Sequence, residues 1–149
     1  MIEPLRQWTC DVCGNVIKSA KDGYVIWRKD DSGRDHDFKI VHQMTCDLDD
    51  YPSSMPVEAF LDADGLSYLL SFLSVGPLRL MLGDVSGPGV ANLDEFVDFI
   101  RRLQIPYYEV ARRRLSDPEI LERLADSNEA STYMSDVLKN IASGYYKTQ

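Results

Sequence analysis

Cys10-Asp-Val-Cys13-Gly14, followed after 28 intervening residues by His42-Gln-Met-Thr-Cys46, is the pair of segments on which this chain turns. Three thiolates and one imidazole make a complete tetrahedral donor set for zinc, and structural sites of that kind come as two close pairs separated by a longer excursion. All three cysteines of the chain fall within the pattern. Taken singly, a cysteine reads as a small buried hydrophobe and a histidine as a satisfied core residue. Four of them in two short-spaced pairs read as one structural Zn2+ per chain, held by Cys10, Cys13, His42 and Cys46. Two cysteines with two residues between them face one ion across a tight turn, and Gly14 gives that turn a backbone freedom that a Cβ would restrict. His42 and Cys46 stand four apart, which puts both on one side of a helical turn, or lets the histidine close a strand while the cysteine opens a short helix. A trithiolate site carries a charge of about −1, so backbone N–H donors are expected near Cys13 and Cys46. His36 is the rival for the fourth place, beside the polar stretch Asp30-Asp-Ser-Gly33-Arg-Asp35 that reads as an exposed turn.

The long spacer has its own pattern. Tyr24-Val25-Ile26-Trp27 and Phe38-Lys39-Ile40-Val41 are aromatic and β-branched, with polar and glycine residues from Asp30 to Asp35 between them. They predict an antiparallel hairpin whose end delivers His42 back to the cysteine pair. A unit of this size buries little core alone, so metal is expected to supply much of its folding energy.

The C-x2-C-x28-H spacing resembles that of PARP-type zinc fingers, and the hairpin between the ligand pairs is similar to the wider treble-clef group. The resemblance covers about the first 50 residues and implies that Cys10, Cys13, His42 and Cys46 hold zinc. Three residues separate His42 from Cys46 where the family has two, and the basic surface those fingers use on DNA is missing. The longer remainder resembles small uncharacterised bacterial proteins and implies no role.

Charge bears on partners. The chain carries a net −8, with 7 basic against 10 acidic residues over 1–56 and 9 against 14 over 57–149. A protein with this field binds the closely spaced phosphates of a duplex only by gathering its few cations on one face. The candidates are Arg101-Arg102 and Arg112-Arg113-Arg114, which otherwise read as a solvated face paired with Asp98, Glu109 and Asp117. Nucleic acid is therefore not the expected partner. No run of about 18 apolar residues points to a membrane span, the N-terminal residues do not read as a signal peptide, and cysteines free to bind metal suit a reducing compartment. The expected location is cytoplasmic.

From residue 53 the pattern turns helical. The polar, proline-containing stretch Cys46–Pro56 reads as a boundary or an elaborate loop, and Pro56 as the opening of a short helical segment through about Leu61. Asp64 reads as an N-cap before Leu66, Leu69, Leu70 and Leu73, with Gly76-Pro77 as the stop. Leu78–Leu82 alternates loosely, as a short strand would. Asn92 and Glu95 have capping-box spacing ahead of an apolar stripe of Leu93, Phe96, Val97, Ile100 and Leu103, opposite Asp94, Asp98 and Arg101-Arg102. Further helices are expected from Pro106 to about Leu115, turning Tyr107, Val110 and Ala111 inward, from Asp117 to about Ala125, and from about Ser131 to Ser143. The core list is Leu66, Leu69, Leu73, Phe96, Val97, Ile100, Leu103, Leu121, Leu124 and Leu138. The fold class is thus α+β: a zinc-bound hairpin module over 1–52 packed on a mainly α-helical part over 53–149.

Signatures of catalysis are lacking: no H-E-x-x-H, phosphate loop, G-x-G-x-x-G or G-x-S-x-G occurs, and a fully ligated zinc leaves no position for substrate. The chain does not read as an enzyme. It reads as a zinc-stabilised protein–protein interaction module with a protein partner or as a homodimer, with Tyr108, Tyr145 and Tyr146 as candidate contact residues. The alternative is a nucleic-acid-binding regulator using the finger or the arginine-bearing helices.

Overall fold

In the computed structural model, residues 2–82, 87–126 and 132–144 are described. Two small antiparallel sheets and a set of helices make a mixed α+β fold. Strands β1 (Trp8–Thr9) and β2 (Val16–Ile17) pair as a short hairpin around the first cysteine pair, with Trp8 opposite Ile17 and Thr9 opposite Val16. Strands β3 (Gly23–Lys29) and β4 (Asp35–His42) form the expected long hairpin. A third strand, β5 (Ser53–Pro56), adds to the free side of β3, giving the order β4-β3-β5. The sequence reads Cys46–Pro56 as loop because Ser53 and Ser54 carry no strand preference. Pairing with an already formed β3 decides the matter, and Pro52 and Pro56 bracket an edge strand, where proline is tolerated.

Period-2 alternation sends Val25 and Trp27 of β3 and Phe38 and Ile40 of β4 to one face. There they meet α1 (Asp62–Leu73) and α3 (Leu93–Gln104) in an aromatic cluster. Phe38 stacks on Trp27 at 5.8 Å and on Phe99 at 4.9 Å between ring centroids, while Phe60, Phe72 and Phe96 close around them. Offset and edge-on packing of this kind adds to the area that the rings bury. Gly65 is required on α1: a Cβ there would lie 2.1 Å from the backbone carbon of Phe60, so only glycine lets the helix seat against the preceding turn. The helix begins at Asp62, which places Asp64 in its first turn rather than at its cap.

Helix α3 starts as its sequence dictates, with Asn92 Oδ1 accepting from the Glu95 N–H at 3.0 Å. Glu95 does not close the box, however. Its carboxylate accepts instead from the backbone N–H groups of Asp37 and Phe38 and so ties α3 to β4. The face that turns inward is Phe96, Phe99, Arg102 and Leu103. Leu93 is exposed, Val97 and Ile100 are half-buried, and Arg102 lies on the buried side, not opposite it. Aromatic partners on the sheet set this rotation.

The chain then folds into α4 (Tyr108–Arg114), α5 (Pro118–Asp126) and α6 (Ser135–Ala142) around a second apolar cluster of Tyr108, Ala111, Ile120, Val137, Leu138, Ile141 and Ala142. Leu69, Phe96, Leu103 and Leu138 are buried as expected and Leu73 and Leu124 pack at the margins, but Leu66 and Leu121 are exposed. Tyr108 is buried, which removes it from the candidate contact residues; Tyr145 and Tyr146 lie outside the described residues. Residues 79–82 form a helical turn, α2 (Arg79–Leu82), following a 3-10 turn at Gly76–Leu78, rather than a strand.

Asp98 on α3 binds α4 through Arg112 at 2.6 Å and through the hydroxyl of Tyr108. Burial opposes ionisation of Asp98, but Arg112 and Tyr108 outweigh it and hold the carboxyl below its ordinary value; burial and Asp98 together push the Tyr108 phenol up to about 12. A depressed carboxyl stabilises the folded state fully above its unfolded pKa and loses that contribution as pH falls through the folded value. Acid titration of stability, followed by circular dichroism, is therefore expected to show a loss on the acid side that is shallower in Asp98→Asn. An identical acid limb in the variant would contradict this pairing.

Candidate metal centre

The first ligand pair sits on the turn of the short hairpin. Cys10 N–H donates to Asn15 O at 2.9 Å and Gly14 N–H to Cys10 O at 3.0 Å, which curls the chain so that both cysteines face inward on the turn. Gly14 takes a φ of +77°, a left-handed conformation that favours glycine. The second pair follows β4 directly. His42 is its last residue, and Cys46 comes after the turn Gln43–Thr45, closed by Cys46 N–H to His42 O at 3.3 Å. No helix opens at Cys46, so of the two arrangements open to this spacing the histidine half of the strand-ending one is realised, with a turn in place of the helix.

What brings the pairs together is Asp11, inside the first of them. Its N–H donates to Ile40 O at 2.8 Å and its Oδ2 accepts from Ile40 N–H at 2.8 Å, two residues before His42 on β4. Cys10, Cys13, His42 and Cys46 thereby place their donor atoms within 4.8 Å of one another. His42 Nδ1 lies 3.4 Å from Cys13 Sγ and 3.8 Å from Cys46 Sγ. A tetrahedron with metal–sulfur bonds of about 2.3 Å and a metal–nitrogen bond of about 2.0–2.1 Å has sulfur–nitrogen edges of about 3.6 Å, which these separations bracket. The opposite ring atom, His42 Nε2, lies 3.2 Å from Val16 O. A carbonyl only accepts, so Nε2 bears the proton and the Nδ1 lone pair points at the sulfurs.

Cys10 is buried, Cys13 exposed and Cys46 half-buried. Burial raises the Cys10 thiol, but the backbone N–H groups of Cys13, Val12 and His42 outweigh it and lower its pKa. The amides that favour the Cys10 thiolate thus come from both ligand pairs. Cys46 is pushed up, by burial first and then by the neighbouring cysteines. Geometry, tautomer and donor chemistry all fit a tetrahedral ion with sulfur and nitrogen ligands. His36, six residues earlier on β4 and paired across from Arg28, is not in the cluster.

The five arginines do not share a face. Arg102 is 3% exposed and bound by Glu109 and Asp11; burial works against its charge, yet those two carboxylates raise its pKa and keep it protonated. Arg112 pairs with Asp98, and Arg101 lies over the Tyr133 ring at 3.7 Å. Arg113 is exposed and Arg114 half-buried. Sequence reading assigned no role to Asp11, which looks like filler in C-x2-C, and took Arg102 for a nucleic-acid candidate or part of a solvated face paired with nearby carboxylates, whereas it is buried against Glu109 and Asp11. The partnership of Asp11 with Arg102 spans 91 positions, and no local pattern announces it.

Elemental analysis of protein purified without added chelator is expected to give one zinc per chain, and Cys13→Ser to lower the bound fraction sharply. A wild-type content near zero, or full retention in Cys13→Ser, would contradict the four-ligand centre.

The chain matches no family model, and no curated protein and no solved structure matches it. What it does must therefore follow from its own chemistry.

Proposed function

We propose that this chain is a zinc-stabilised protein–protein interaction module, in which one structural Zn2+ is held by Cys10, Cys13, His42 and Cys46 in a finger of treble-clef type. Three thiolates and an imidazole are the donor set of structural zinc, and four protein ligands leave no open position for a substrate, in keeping with a non-catalytic role. Exposed thiols such as Cys13 stay available for metal in a reducing compartment, which supports a cytoplasmic location. Among the described residues no helix is long and apolar enough to cross a membrane.

The observation that carries the interaction reading is a run of large apolar side chains left in water. Leu78, Met81 and Leu82 are 57%, 81% and 62% exposed, on the helical turns that follow α1. Leu66 and Leu70 on α1 are exposed as well. Apolar groups gathered in this way mark contact surfaces, whereas single exposed leucines do not. The nucleic-acid reading loses support, since Arg102 is withdrawn into the interior and Arg112 is tied to Asp98 in a chain of net charge −8.

Light scattering and chemical cross-linking of the wild type, alone and with captured proteins, are expected to show a specific complex that the double variant Leu78→Asp/Met81→Asp loses while keeping its zinc. Duplex and single-stranded nucleic acids are expected not to bind at physiological salt. Micromolar or tighter binding that falls steeply as salt rises, and disappears on charge reversal at Arg112–Arg114, would replace this reading with the nucleic-acid one.

A further inference from the structure

Residues on both sides of Cys10 hang on one buried guanidinium. Arg102 Nη1 donates to Asp11 Oδ2 at 2.7 Å and Nη2 to Thr9 O at 3.2 Å. Two more donors go to α4, with Nε to Glu109 Oε2 at 2.8 Å and Nη2 to Glu109 Oε1 at 2.9 Å. The backbone of Arg102 is held as well, its carbonyl accepting from Trp8 Nε1 at 2.9 Å. Trp8, Thr9 and Asp11 are thus fixed to α3 around Cys10, and the Asp11 oxygen that Arg102 grips is the one that also accepts from Ile40 N–H beside His42.

We infer that Arg102 is a positioning residue of the metal centre: through Asp11 and Thr9 it holds the Cys10–Cys13 turn in register with His42, and metal occupancy in turn secures the contact of Arg102 with Glu109. The inference rests on the reading of the four ligands as a metal set. Its physical basis is the cost of the alternative. If the cysteine turn opened and took Asp11 away, a guanidinium almost wholly removed from water would lose one of its two carboxylates, and removing one partner of a buried charge is strongly destabilising. The open turn is thereby disfavoured before any ion arrives, so less of the binding free energy goes into organising the ligands. Groups that orient ligands without touching the metal are worth about 10–100-fold in affinity. Linkage makes the effect mutual: whatever the Arg102–Glu109 contact adds to metal affinity, the metal adds to that contact. Lysine does not replace the arginine, because one ammonium does not reproduce a planar fork that serves Asp11, Thr9 and Glu109 together.

The test measures zinc affinity by competition with a chromophoric chelator, together with amide hydrogen exchange in α4 with and without zinc, on the full chain. Four proteins are compared: wild type, Asp11→Asn, Arg102→Lys and Asp98→Asn. The last breaks the neighbouring Arg112 pair and serves as a control for general loosening of the helices. Asp11→Asn keeps an oxygen for Ile40 N–H and carries the test if Arg102→Lys does not fold. The expected result is one equivalent of zinc on each folded protein, with affinity lower by about tenfold or more in Asp11→Asn and Arg102→Lys and unchanged in Asp98→Asn. Zinc should also slow exchange in α4 of the wild type and do so much less in Asp11→Asn. If the wild type binds one zinc and both variants match its affinity within about twofold, the positioning role is wrong and the metal set stands. An equal loss in Asp98→Asn would likewise overturn it. A wild type that takes up no zinc overturns both.

Discussion

The guanidinium of Arg102 is the constraint around which the rest is arranged. A cation buried this far demands acceptors at each of its nitrogens, and it finds them in two pieces of chain: Thr9 and Asp11 beside the first ligand, far away in sequence, and Glu109 at the start of α4. Such a network is weak evidence of net stability, because desolvation cancels much of the attraction. What it supplies is orientation. The helices and the cysteine turn have one relative placement in which all three guanidinium nitrogens are bonded, and with Trp8 locked to the Arg102 carbonyl that placement also closes the apolar core.

The hairpin gives the candidate metal centre its second half. Its aromatic face is glued to α1 and α3 by Trp27, Phe38 and Phe99, so the end of β4 is a fixed point in the molecule. Asp11 pins the cysteine turn to that same strand at Ile40, and Val16 O sets the ring of His42 so that Nδ1 faces the sulfurs. Each ligand is thus held by something other than a metal ion. A site assembled by packing and backbone hydrogen bonds calls for little rearrangement on binding, which is the property expected of a structural centre.

Much of this was legible in the sequence. The four ligands stood out because metal sites are built from local pairs, and the hairpin because β-branched and aromatic residues cluster where strands form. The Asn92 cap was legible for the same reason: one side chain reaches one amide three residues on. What escaped depends on distant partners. Phe99 and Arg102 were missed because α3 carries apolar residues on more than one side, and only the ring of Phe38 and the carboxylates of Asp11 and Glu109 decide which side is inward. Strand β5 was missed because Ser53-Ser54 becomes strand only when β3 offers it a ladder. The turn at 79–82 alternates like a strand but forms a helical turn.

The most direct measurement of the central claim is X-ray absorption at the zinc edge of the purified, zinc-loaded protein. Three sulfurs at about 2.3 Å and one nitrogen at about 2.0–2.1 Å are predicted, from Cys10, Cys13, Cys46 and His42 Nδ1. A first shell dominated by oxygen and nitrogen, or one with fewer than three sulfurs, would contradict it.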